Sequence, residues 1–151
     1  MYDARSRYVA AAVETASPAR LLTMLCDRLL LDVERAAHAL GEGQRPHATQ
    51  HLAHAQEIVA ELIASLDVDA WEGGPRLLSI YTWLHGELLG AAAAGDAERV
   101  RACARVVEPL ARTWHEAAAA VAGTTAPAAP APVAAAYGAA SAPGAGLLGV
   151  G

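Results

Sequence analysis

Apolar residues recur every three or four positions through most of this chain, and strict alternation is nearly absent, so the pattern predicts helices and no sheet. The first stripe, Leu21, Leu22, Leu25, Leu29, Val33, Ala36, Ala37 and Leu40, opens behind Ser17-Pro18 and stops at Gly41. A serine hydroxyl at that place can accept from a first-turn amide, and a proline in the first helical position leaves no amide hydrogen unpaired. The spacing predicts a helix from about Pro18 to Leu40. After the turn Gly43-Gln44-Arg45-Pro46, Leu52, Ala55, Val59, Leu62 and Leu66 form a heptad seam, and the second helix runs to about Leu66. A third begins after Gly73-Gly74-Pro75, turns Leu77, Tyr81, Leu84, Leu88 and Ala91 inward, and ends at Gly95. Asp96 caps a fourth, in which Val100, Cys103, Val107, Leu110, Trp114, Ala117 and Val121 face inward. Pro109 lies opposite that seam, which predicts a solvent-side kink in one continuous helix.

Four helices joined by short connections favour antiparallel neighbours, so the fold class expected is all-α, an up-down four-helix bundle over residues 17–122. Residues 1–16 form a short amphipathic lead-in. Residues 123–151 contain no charged side chain and are dominated by Ala, Pro and Gly, which predicts a disordered tail. Its Tyr137, Leu147, Leu148 and Val150 offer a recruitment motif, although a solvated tail is the simpler reading.

Composition narrows the function. A formal charge of −5, with no Lys and scattered Arg, argues against binding to nucleic acid, whose phosphates require clustered cations. Cys26 and Cys103 each fall on an apolar face and are expected as buried thiols in a reducing cytoplasm. No apolar run approaches the roughly 20 residues of a membrane span, and the N-terminal run is too soon acidic for a signal peptide. The chain reads as cytoplasmic and soluble.

Candidate chemistry is sparse. His47, His51 and His54 share one flank of the second helix, but a bundle dimetal site would want paired Glu-x-x-His motifs, and none occurs; a polar flank is expected, with no metal. Asp27, Asp32, Glu57 and Glu61 read as solvated positions. No phosphate loop or nucleophile motif is present, so neither an enzyme nor a cofactor site is expected. Apolar residues off the core seams carry more information. Met24 and Leu31 lie one heptad apart on the outer side of the first helix, and Ile80 and Trp83 stand off the third seam beside Gly86 and Gly90. Interior helical glycines cost about 1 kcal/mol each relative to Ala, so a close approach is expected there, either by a neighbouring helix of the bundle or by a partner.

A series of separate motifs then points to a family: Val13-Glu14-Thr15-Ala16 after Tyr8, Met24-Leu25-Cys26-Asp27, Ile58-Val59 before Glu61-Leu62, Leu66-Asp67 before Gly73-Gly74, Leu78-Ser79-Ile80-Tyr81, and Trp114. In this order and spacing, over roughly residues 2–116, the chain resembles the FliS-type flagellin export chaperones. Cys26 stands where that family commonly has an aromatic, Pro75 departs from its pattern, and the apolar tail has no counterpart in it. The resemblance implies a chaperone that binds the disordered C-terminal part of flagellin in the cytosol, prevents polymerisation and delivers it to the flagellar export gate. It also implies that the lead-in serves as a movable cap. The partner-binding residues expected on this basis are Tyr8, Val13, Met24, Leu31, Ile80, Trp83, Gly86 and Gly90. The principal alternative is a dimerisation or signalling module whose Trp83 surface pairs with its own copy, which leaves a client-free homodimer open; a metal-binding or ferritin-like bundle ranks third.

Overall fold

The computed structural model describes residues 17–123 together with Ala4 and Arg7. Four long helices follow in order: α1 Pro18–Gly41, α2 Arg45–Ser65, α3 Gly74–Ala94 and α4 Ala97–Gly123. No strand occurs among the described residues, so the chain is all-α.

Helix boundaries follow from local chemistry. Ser17 Oγ accepts from the Arg20 amide at 3.3 Å, and Pro18 occupies the first turn of α1. α3 stops where Gly95 turns left-handed, at φ 66°, a conformation that costs a glycine little. Asp96 Oδ1 then accepts from the amides of Glu98 and Arg99 at 2.9 and 3.2 Å and starts α4. α4 passes unbroken through the exposed Pro109, as its position opposite the seam predicts.

Each helix packs on its neighbours in sequence, and α4 closes the ring against α1. Arg45, at the start of α2, donates to the Ala93 carbonyl near the end of α3 at 2.7 Å, while Arg99, early in α4, meets Glu87, late in α3. Both pairs are therefore antiparallel. The α1 seams with α4 and α2 are the most extensive, and the α3–α4 seam is the thinnest. One apolar core joins Leu29 and Val33 of α1 to Val59 and Leu62 of α2, Tyr81 and Leu84 of α3, and Val107 and Trp114 of α4. Burial of each such Leu or Val stabilises the fold by roughly 1.5–3 kcal/mol before conformational entropy is counted.

The expected inward residues of α2 and α3 are all buried. On α1 the face is rotated: Leu21, Leu25, Ala37 and Leu40 are only half-buried, while Cys26 and Ala39 are buried. On α4, Ala111 takes the buried place expected for Leu110, and Val121 is 39% exposed. A helix of 3.6 residues per turn drifts from a strict heptad, and over the length of α4 the drift carries Val121 out of the seam.

The largest departure is Asp32. Expected as a solvated carboxylate, it is fully buried on the α1–α2 seam. Arg28 Nε donates to its Oδ2 at 3.2 Å from within α1, His54 Nδ1 pairs with the same oxygen, and His51 Nδ1 lies 3.5 Å from Oδ1. A buried carboxylate is tolerated only with such partners, and two of the three histidines expected on a polar flank supply them. Both cysteines are buried and free, and burial pushes the Cys26 thiol up to about 12 and that of Cys103 to about 11.

Candidate partner-binding surface

The loop leading into α3 explains a sequence motif in packing terms. Leu66 is buried, and Val68 and Trp71 pack against the core, so residues 66–73 fold back over the first turn of α3. A Cβ on Gly74 would run into the Val68 backbone carbonyl, and one on Gly73 into the Trp71 ring. Gly73-Gly74 is thus a close-approach requirement of the fold.

Beyond that loop, α3 presents its outer face. Trp83 is 44% exposed and Leu89 47%, and they flank Gly86, around which an added Cβ would meet nothing within 4 Å. Ile80 is half-buried and leans on the core. From Arg76 to Ala94 the helix contains a single acidic residue, Glu87. Arg99 Nε and Nη2 donate to its two carboxylate oxygens at 3.1 and 3.0 Å. Those hydrogen bonds, aided by the Arg99 charge and opposed by desolvation, hold the Glu87 carboxyl below its ordinary range.

The two expected glycines separate here. Gly90 is covered by the Arg99 guanidinium, so the close approach at that position comes from the bundle's own α4. Gly86 is open. Met24 and Leu31, on α1, are half-buried without packing on the core cluster, and Leu31 lines an open pocket of about 330 Å³ with Arg35, His38, Gln44, His47 and His51. α1 and α3 share no principal seam, so the fold does not bring these residues together with Trp83: the expected site divides into two faces. Tyr8 and Val13 lie outside the described residues, as do residues 124–151 and the lead-in apart from Ala4 and Arg7. Leu89 belongs to the α3 face but was absent from the expected set, although its place off the Leu84-Leu88-Ala91 seam marks it.

Among the described residues no group of three or more His, Cys, Asp or Glu has the arrangement to hold a metal ion, the Asp32 cluster included. Nor is any described helix long and apolar enough to cross a membrane. What the surface offers is apolar side chains on rigid helices, which suits contact with another polypeptide.

Fold and surface together define the class, a helical bundle with exposed apolar helix faces. A sequence model of the family described as "Flagellar protein FliS" matches residues 1–121, four-fifths of the chain, and the protein belongs to that family. Membership carries the role of a flagellar export chaperone. A search of curated proteins returned no match.

Proposed function

We propose that this protein binds the C-terminal segment of flagellin in the cytosol, keeps it from polymerising, and hands it to the flagellar export gate. The observation that carries the reading is the exposed Trp83–Leu89 face on either side of an open Gly86, in a bundle of this family. A polymerising segment is apolar on one side once helical, and left free it associates with its own kind; a groove on a rigid helix supplies a substitute surface. The separation of the α1 and α3 faces favours a client that wraps around the bundle in more than one piece. Ordering such a client consumes much of the contact energy, so binding remains reversible enough for transfer at the gate. Neither nucleotide nor cofactor enters this mechanism.

Gel filtration of the purified chain with flagellin tests the reading. A one-to-one complex is expected at micromolar concentration, and separate elution would overturn the assignment. Sedimentation of the chain alone separates it from the rival use of the Trp83 face, a constitutive homodimer.

A further inference from the structure

The α3 face is apolar, free of unpaired acid and uncovered among the described residues, and the same chain supplies a segment that matches it. We propose that in the client-free protein the segment around Leu147 and Leu148 docks on the outer face of α3 at Trp83, Gly86 and Leu89.

Reach is the first argument. Arg99 lies level with Glu87 across the antiparallel α3–α4 seam, so Trp83, one turn earlier, is level with about residue 103 of α4. Gly123 ends α4 some 20 residues further along, at about 1.5 Å per residue, or about 30 Å away. About 24 residues separate Gly123 from Leu147, and a coil of that length has an r.m.s. span of about 27 Å. A tether whose span matches the gap gives its highest effective concentration, on the order of millimolar for short flexible linkers, so a weak contact suffices. Val133 and Tyr137 sit on tethers of about 10 and 14 residues, with spans of about 17 and 21 Å, short of the gap.

Chemistry is the second. Residues 123–151 contain no charged side chain, and Leu147-Leu148 is their only pair of adjacent large aliphatic residues. The lead-in, by contrast, carries Asp3, Arg5, Arg7 and Glu14, charges that are costly to bring against an apolar stripe. Gly86, where an added Cβ would meet nothing within 4 Å, leaves open space between Trp83 and Leu89 for an apolar side chain. Docking there withdraws the stripe from self-association and makes the tail compete with the client, lowering apparent client affinity by the closed fraction. The contact rests on the stripe alone; the competition rests on the proposed client.

A nitroxide attached to Ser141→Cys in the full chain tests the contact, because Cys26 and Cys103 are buried with raised thiol values and leave the new cysteine as the reactive one. The probe is the Trp83 indole signal in the nitrogen-15 spectrum, assigned by its loss in Trp83→Phe. Paramagnetic broadening of about half the signal or more is expected, with recovery on combining Leu147→Ser and Leu148→Ser. No broadening, broadening that survives the leucine substitutions, or broadening seen only between mixed labelled and unlabelled copies would overturn the proposal. Titration with the flagellin C-terminal segment then reads the competition: the leucine variant is expected to bind about twofold to tenfold more tightly. Broadening without any flagellin binding would uphold the tail contact while the client reading fails.

Discussion

Trp114 on α4 and Trp83 on α3 are the same residue type on adjacent helices, yet one is 3% exposed and the other 44%. Helical phase separates them. Trp114 continues the line Val100, Cys103, Val107 and Ala111 into the core, whereas Trp83 falls between the seam residues Tyr81 and Leu84 and points away from them. The same lesson recurs one turn further on, where Gly90 is roofed by Arg99 and Gly86 faces open space. On α3 a quarter-turn of helix divides packing that holds the fold together from surface that is free for another chain.

Substitution at Trp114 gives the largest expected effect. Trp114→Ala is expected to cost about 3–5 kcal/mol of folding stability, measured by chemical denaturation, because an aromatic leaves a cavity that the bundle closes only in part. A cost below about 1 kcal/mol would break the comparison by showing that Trp114 is not held in the core. Asp32→Ala, on the opposite side of α1, is expected to cost about 2 kcal/mol by the same measurement, since Arg28, His51 and His54 are partly exposed and regain water when the carboxylate is lost.

The glycines sharpen the comparison with a change of sign. Gly86→Ala is expected to raise the stability of the bundle by about 1 kcal/mol, since alanine is the better helix former and its methyl meets nothing among the described residues. Gly90→Ala gains the same propensity but displaces Arg99 from Glu87, so its thermal midpoint is expected to fall below that of Gly86→Ala. Equal midpoints would mean that Arg99 does not roof Gly90.

The smallest effect is in acid. A carboxylate whose folded value is depressed contributes stability that is fully present above its unfolded value, ordinarily near 4.5, and lost as pH falls through the folded value. The difference in midpoint between the native chain and Glu87→Gln is therefore expected at pH 7 and should vanish well below pH 4.5. A difference unchanged in acid would show that the Arg99 pair is not its source.

Much of this bundle was legible from spacing, and the failures have a common cause. The seams of α2 and α3, the Asp96 cap and the continuity of α4 through Pro109 each depend on residues within one helix, where periodicity and capping chemistry suffice. Asp32 sits at the margin of the inward arc of α1, and its burial is decided by His51 and His54 on α2. Gly90 looked like Gly86 because the guanidinium that covers it comes from α4. Spacing within a helix shows which side chains can turn inward; what meets them there depends on the partner helix.

The central claim is that the Trp83 face binds the client and does not support the fold. Calorimetric titration of the flagellin C-terminal segment into folded Trp83→Ala, beside the native chain, tests it most directly. Loss of a buried aromatic anchor of about 2 kcal/mol or more predicts a Kd raised about 30-fold or beyond, with the denaturation midpoint of the free protein little changed. An unchanged Kd, or a free variant that is substantially destabilised, would contradict the account.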